Sequence, residues 1–181
     1  MNILLAFAPF LAFALIDRLV GATEGLVAAA IIALAMVIRD RVNGRSPKIL
    51  EIGTALLFGG LAAYALFVKP DWSILGVRLR VDAGLLLIVL ATIALRQPFT
   101  LQYARESVAP ELWDSPQFLR TNYVITAVWA LAFAVLVIAD LVLIYRPDIP
   151  PKFGIFATVL ALLGAARFTR SYPDRVRANA A

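Results

Sequence analysis

The sequence contains no cysteine and no histidine. The lack of cysteine excludes a disulfide, a thiol nucleophile and a thiolate metal site. The lack of histidine excludes histidine-ligated haem, copper or zinc, and also a Ser–His–Asp catalytic triad. Carboxylates and tyrosines remain, so carboxylate-bound metals and proton relays stay open. Since no paired carboxylate motif stands within an apolar run, we expect a protein that is not an enzyme and holds no cofactor.

Charged residues are also scarce, at 16% of the 181 residues, whereas 62% are hydrophobic. Soluble domains have about 25% charged and about 45–50% apolar residues, so this chain has more apolar surface than a soluble fold can bury. Because a membrane-spanning helix takes about 20 residues, about six such helices fit with short connections. The sequence predicts an all-α, polytopic transmembrane bundle, with one transmembrane domain at residues 1–166 and a polar cytoplasmic tail at 167–181.

Local residue patterns predict where each membrane helix begins and ends. Ser46-Pro47 and Ser115-Pro116 each favour a helix start, because serine caps free N–H groups and proline suits the first turn. The alternation from Val77 to Val81 favours a short extended piece at 72–82. The mixed charged and aromatic residues at 99–122 are expected to lie on the headgroup surface. The predicted helices cover residues 3–20, which form a retained helix and not a signal peptide, 26–38 with 23–25 joining, 49–68, 83–95, 116–145 and 153–166.

The distribution of lysine and arginine predicts the orientation. If the N-terminus is cytoplasmic, the cytoplasmic segments contain eleven of the 17 basic residues and the opposite side contains six. Basic residues concentrate on the cytoplasmic side of membrane proteins, so both termini are expected inside. The net charge of +5 therefore reflects cytoplasmic loops. The chain lacks a basic tract with interleaved aromatics, and nucleic acid is not an expected partner.

Two acidic residues within or beside the apolar runs are candidate intramembrane polar sites. Asp140 lies about a turn and a half from the end of its predicted helix, where it is either a proton or cation site or a shallow carboxylate paired with Arg146 or another arginine. Glu24 stands at the start of a predicted helix. There it either balances the helix dipole or joins Asp17 and Arg18 in a polar cluster.

Other residues are candidates for packing and for binding. Gly59 and Gly60 lie in the middle of an apolar helix, where small residues allow another helix to approach closely; a hinge is the alternative. Arg105, Glu106 and Trp113 are candidates for binding lipid headgroups or a partner, although a solvated stretch lying on the membrane explains them equally well.

A pattern distributed over most of the chain consists of Phe7-Ala8-Pro9-Phe10 with Phe13, Ala22-Thr23, Lys48-Ile49, Phe58-Gly59-Gly60-Leu61, Gln97-Pro98, Trp113, Asn122, Trp129 and Phe133. This pattern resembles the intracellular septation protein A family, which consists of small, multi-pass bacterial inner-membrane proteins. The segment between Pro98 and Asn122 is longer than in the family pattern. The resemblance implies a role in division, septum formation and envelope integrity through contacts with other membrane proteins. It supplies no catalytic residues.

Three functions follow as hypotheses. The first is a non-enzymatic protein of the bacterial inner membrane whose partners are the lipid bilayer and other envelope or division proteins. The second is a small homodimeric transporter or channel for an ion or small solute that uses Asp140, since six helices alone make a thin wall around a path. A faint echo between residues 46–50 and 115–119 is compatible with the repeated helical pairs of transporters. A membrane enzyme comes third, because it would depend on carboxylates alone.

Overall fold

The computed structural model describes residues 3–178. The structure is 83% helix, and the described residues form no strand. The all-α prediction is therefore confirmed. Within residues 3–178, two short 3₁₀ helices and seven α-helices follow one another: a 3₁₀ helix at Ile3–Phe7, α1 at Ala8–Leu19, α2 at Ala22–Val42, α3 at Ile49–Val68, α4 at Ile74–Ala94, α5 at Phe99–Ala104, a 3₁₀ helix at Pro110–Leu112, α6 at Pro116–Tyr145 and α7 at Pro151–Ala178.

Among the helices of the described chain, four are long and apolar enough to cross a membrane: α2, α3, α6 and α7. This supports a membrane protein and reproduces four of the predicted spans. Helix α1 has 12 residues, and α4 has 21 residues but contains Arg78, Arg80 and Asp82 in its first half. Length and composition therefore bear out four spans, and the further two, α1 and α4, remain part of a proposal.

The prediction of an extended piece at residues 72–82 is wrong, because α4 begins at Ile74. The apolar positions that suggested alternation also recur at a spacing of four, which is a helical period. Val77, Val81, Leu85 and Val89 are all buried on one face of α4. The Ser73 hydroxyl accepts a hydrogen bond from the Gly76 backbone N–H at 3.1 Å and supports the first turn.

The two predicted Ser-Pro helix starts have different outcomes. Ser115 is the N-cap of α6, and its hydroxyl accepts a hydrogen bond from the Phe118 N–H at 3.3 Å, as predicted. The prediction for Ser46 is wrong, because α3 begins at Ile49 with Lys48 as its N-cap and without a side-chain cap bond. The connection before α2 is also shorter than predicted, since only Val20 and Gly21 separate α1 from α2.

The last helix continues further than the apolar run. Helix α7 was predicted to end at Ala166, but it extends to Ala178 with Pro173 inside it. Charged residues such as arginine are good helix formers, so α7 continues beyond its apolar run. The end of the apolar run at Ala166 therefore does not mark the end of the helix. The remainder of the predicted polar tail, residues 179–181, lies outside the described residues.

The described part of the chain divides into two compact units, residues 3–88 and 89–178. In the first unit, α2 packs against both α1 and α3. A methyl group added to Gly84 of α4 would collide with the Leu57 side chain of α3, and one added to Gly53 would lie 2.9 Å from Cγ2 of Ile88. Helices α3 and α4 therefore meet closely at these two glycines. The core contains Phe13, Leu26, Ala29, Phe58, Ala62, Ala65, Val77 and Val81.

In the second unit, α6 packs along α7 and against the short α5. The indole N–H of Trp129 donates to the Thr169 hydroxyl at 2.9 Å, and that hydroxyl donates to the Ala165 carbonyl at 2.8 Å. At the other end of the pair, Gly154 faces the Leu143 side chain, with 2.6 Å between an added methyl group and Cδ1 of Leu143. A polar bond and a close glycine contact thus hold α6 and α7 together at separate points.

Candidate functional site

Four charged residues form a cluster where α2 ends and α3 begins. The Lys48 ammonium lies 2.8 Å from Oδ2 of Asp40 and 3.8 Å from Oε1 of Glu51. An Arg39 guanidinium nitrogen lies 3.3 Å from Oδ1 of Asp40. Asp40, Lys48 and Glu51 are 0%, 3% and 2% exposed, whereas Arg39 is half exposed. We call these four residues the charged cluster; its formal charges sum to zero.

The loop between α2 and α3 brings the charged cluster together. Gly44 adopts a left-handed conformation with φ of 68°, which glycine adopts without a steric penalty. The Arg45 N–H donates to the Asp40 carbonyl at 2.8 Å and closes the turn over the last turn of α2. Lys48 has an extended backbone at the N-cap of α3. The loop therefore places the Lys48 ammonium, eight residues after Asp40, beside the Asp40 carboxylate.

Because three of the four residues of the charged cluster are buried, its carboxylates need the basic residues of the cluster as partners. A carboxylate taken out of water costs several kcal/mol unless an opposite charge and hydrogen bonds compensate. Asp40 has this compensation from Lys48 on one oxygen and from Arg39 on the other. The sequence patterns did not predict this cluster. The available signal was the tight Asn43-Gly44 turn with opposite charges on both sides.

Asp140 is 1% exposed, so protein atoms enclose its side chain. Arg146, one of the partners considered from the sequence, donates instead to Asp148 from Nε at 3.0 Å and from Nη2 at 2.9 Å. These exposed bonds hold the pKa of Asp148 below its ordinary value and raise the pKa of Arg146. Asp140 is therefore a buried ionisable group within a helix that is long and apolar enough to cross a membrane.

Glu24 occupies the first turn of α2, three residues after the N-cap Gly21. A methyl group added to Gly21 would lie 2.5 Å from Oε2 of Glu24, so the carboxylate folds back over the start of the helix. This placement favours the helix-dipole interpretation. The described residues show no ion pair between Glu24 and Arg18, and Asp17 is buried separately in α1.

Gly59 and Gly60 face open space, since a methyl group on either one would meet nothing within 4 Å among the described residues. Close helix approach within the first unit occurs at Gly53 and Gly84 instead. Neither glycine therefore makes the predicted close helix contact among the described residues, and the hinge alternative stays a prediction. No feature of the sequence distinguished these glycines from Gly53 and Gly84.

The predicted binding residues of the long connection belong to a folded segment, residues 99–115, which we call the surface segment. The Arg105 guanidinium lies 5.3 Å from the centre of the Trp113 ring, and the indole N–H of Trp113 donates to the Val108 carbonyl at 2.9 Å. Glu106 lies beside Arg105 on the exposed part of the segment. Arg105 and Trp113 are thus brought together, as a cation–π pair.

A buried hydroxyl attaches the surface segment to α6. The Thr100 hydroxyl donates to the Asn122 carbonyl at 2.9 Å and lies 2.9 Å from the Thr126 hydroxyl. Beside the segment lies a cavity of about 260 Å³, which we call the Phe118 cavity. It is lined by parts of the segment, the start of α6 and the end of α7, including Leu112, Phe118, Asn122, Val176 and Arg177.

The described residues contain no group of three or more acidic side chains placed to hold a metal ion. Comparison of the chain with models of known protein families, with curated proteins and with solved structures finds no match.

Proposed function

We propose that this chain is a bacterial inner-membrane protein of the cell envelope that acts in septation and envelope integrity by holding membrane partners or lipids, without catalysis. In this proposal the chain crosses the membrane about six times, with both termini in the cytoplasm, and α1 and α4 supply the two further spans. The excess of basic residues in the proposed cytoplasmic segments supports this orientation.

The observation that carries the proposal is the surface segment and the Phe118 cavity beside it. The segment is folded and attached to α6 through Thr100, yet it exposes Arg105, Glu111 and Leu112. Leu112 is 54% exposed and lines the Phe118 cavity of about 260 Å³, whose lining contains both apolar and polar residues. A folded surface with a partly apolar cavity and charged surroundings is typical of a site that receives a side chain from a partner.

The proposal is tested by deleting the gene and imaging the cells under low-osmolarity stress while a functional fluorescent fusion is expressed. We expect filaments or bulges without the protein, and accumulation of the fusion at midcell. Leu112→Glu should remove the midcell accumulation at an unchanged protein level, because it places a charge in the Phe118 cavity. Phe156→Ala, which changes a 64% exposed aromatic residue on α7, is the control and should leave it intact. Normal shape with an evenly distributed fusion would refute the proposal.

The burial of Asp140 favours a second candidate, a small homodimeric transporter or channel. An ionisable side chain enclosed within a membrane helix is often part of a proton or ion path. Asp140→Asn should then abolish proton-coupled solute uptake into liposomes that contain the purified protein, and Asp148→Asn, which changes an exposed carboxylate, should leave uptake intact. Equal uptake by wild type and Asp140→Asn would exclude this use of Asp140.

A further inference from the structure

A second cavity lies at the end of α2 and α3 opposite the charged cluster. It has a volume of about 370 Å³ and belongs entirely to the first unit. The start of α2, the end of α3 and the first turn of α4 surround it. We call it the Trp72 cavity; its lining includes Thr23, Glu24, Leu26, Ala65, Lys69 and Trp72.

The floor of the Trp72 cavity is apolar and its wall is fixed. Leu26, Ala65 and Val77 are buried core residues. The Trp72 ring stacks on Tyr64 with 5.2 Å between ring centres and an interplanar angle of 8°. The Arg80 guanidinium lies 4.5 Å from the centre of the same ring. Since two neighbours hold Trp72, the cavity wall is formed before any ligand arrives.

The rim of the Trp72 cavity carries one charge of each sign. Glu24 is exposed in the first turn of α2, and Lys69 is exposed directly after α3, in a left-handed conformation with φ of 50°. Neither residue forms an ion pair with another described residue. The charged cluster differs in this respect, because there each charge has a partner.

The depth of the Trp72 cavity indicates which molecules reach it. Helices α2 and α3 are two of the four helices suited to crossing the membrane, and the cavity lies at their ends. Ends of membrane helices lie at headgroup depth, where tryptophan and tyrosine concentrate. Tyr64 and Trp72 fit this distribution. A ligand there has a polar part at the rim and an apolar part toward the bilayer.

We propose that the Trp72 cavity binds the headgroup of a phospholipid that carries a primary ammonium and a phosphate. The ammonium lies at Glu24, the phosphate lies at Lys69, and the acyl chains leave along Leu66, which lines the cavity and is half exposed. A primary ammonium donates hydrogen bonds to a carboxylate, whereas a quaternary ammonium has no N–H to donate. A headgroup with a phosphate and no amine leaves Glu24 without a cation. The inference rests on the membrane role proposed above and names its lipid.

Native mass spectrometry of the detergent-purified full chain tests the proposal with three lipids of identical acyl chains: phosphatidylethanolamine, phosphatidylcholine and phosphatidylglycerol. We expect phosphatidylethanolamine to bind about tenfold more tightly than either of the others, the ratio that corresponds to one charge-assisted hydrogen bond. Equal occupancy by all three lipids would overturn the proposal. Glycerophosphoethanolamine, which has the headgroup but no acyl chains, should compete only weakly. Competition as strong as that of the lipid would show a soluble ligand and would also overturn it.

Three variants assign the binding and its selectivity to the rim. Glu24→Gln should reduce the preference for phosphatidylethanolamine about tenfold, because Glu24 faces the ammonium. Lys69→Asn should weaken the binding of all three lipids about tenfold and leave the preference unchanged, because all three carry the phosphate; asparagine also tolerates the left-handed conformation of Lys69. Asp71→Asn changes an exposed carboxylate of the same loop that does not line the cavity, and it should retain the preference. Circular dichroism shows whether each variant is folded. A folded Glu24→Gln with full selectivity would refute the assignment.

Cell imaging distinguishes this inference from the proposed function. If lipid selectivity is absent while the fusion still accumulates at midcell, the lipid assignment fails and the envelope role stands. If selectivity is present in a chain that is distributed evenly and dispensable for cell shape, the envelope role fails and the lipid site stands.

Discussion

The two ends of the α2–α3 pair use charge in opposite ways. At one end, which we call the closed end, Asp40, Lys48 and Glu51 are buried and form ion pairs with each other. At the other end, which we call the open end, Glu24 and Lys69 are exposed beside the Trp72 cavity of about 370 Å³. The same two helices therefore carry one end whose charges stabilise the fold and one end whose charges remain available to a ligand. The difference lies in the connections, since burial of a charge requires a partner within reach.

The largest expected effect comes from removing the central cation of the closed end. Lys48→Met leaves two carboxylates buried beside each other, with only the half-exposed Arg39 near Asp40. Breaking a buried pair in this way costs about 3–5 kcal/mol of unfolding free energy. The cost is measured by chemical unfolding in detergent micelles, followed by circular dichroism.

The control for Lys48→Met is the triple variant Asp40→Asn, Lys48→Met, Glu51→Gln, which removes the buried charges together. It should recover more than half of the lost stability, because no uncompensated ion remains. A Lys48→Met chain as stable as the wild type would mean that the closed end stabilises no more than the open one.

A medium effect is expected between the two ends, where the glycines of the first unit differ in surroundings. Gly84→Ala should destabilise by about 1–3 kcal/mol, because its methyl group collides with Leu57. Gly59→Ala and Gly60→Ala should be neutral or stabilise by up to about 1 kcal/mol, because alanine is the better helix former and the space is open. Thermal unfolding compares the three variants. Destabilisation by Gly59→Ala would instead indicate a second molecule packed at this position.

A smaller effect is expected at the open end. Glu24→Gln removes a negative charge from the start of α2, where it interacts with the helix dipole. The loss should be about 0.3–1 kcal/mol in unfolding free energy, and salt should reduce it. Chemical unfolding at low and high salt measures this dependence. A loss as large as that of Lys48→Met would show that the open end is a structural element like the closed end.

The smallest effect is expected at the Arg146–Asp148 pair between α6 and α7. This is an ion pair like those of the closed end, but it is exposed. Arg146 lowers the pKa of Asp148, so any stabilisation is present above the ordinary aspartate pKa and is lost as the pH falls through the lowered value. We expect Asp148→Asn to unfold at the wild-type temperature at pH 7 and also at pH 2. A difference at pH 7 that disappears at pH 2 would show that exposure does not abolish the contribution.

The sequence predicted those features that depend on local patterns. The apolar run before Tyr145 and the Ser115 cap defined α6 correctly, because both signals act within one helix. The start of α4 was missed because five residues from Val77 to Val81 satisfy both a strand and a helix period. The sequence predicted a connection that contains residues 99–115, but it did not predict their attachment to α6 through Thr100, because that attachment depends on a contact 22 residues away.

The charged cluster and the Trp72 cavity depend on tertiary geometry. In the sequence, Asp40 and Lys48 have the pattern of ordinary loop charges. They meet only because the left-handed conformation of Gly44 reverses the chain direction. Glu24 and Lys69 are 45 positions apart, and only the antiparallel packing of α2 and α3 brings them to one rim. The residue pattern of one helix does not predict which of its charges a neighbouring helix will bury.

In the proposed arrangement of about six spans, the charges in the first half of α4 also affect how the chain enters the bilayer during synthesis. Arg78, Arg80 and Asp82 each make insertion unfavourable, by about 2.5–3.5 kcal/mol at the centre of a helix and by less near its ends. Helix α3 is apolar and is made first, and Gly84 allows α4 to lie directly against Leu57. We expect α4 to leave the translocon together with α3 as a hairpin, so that ribosomal pausing between them would impair assembly before folding begins.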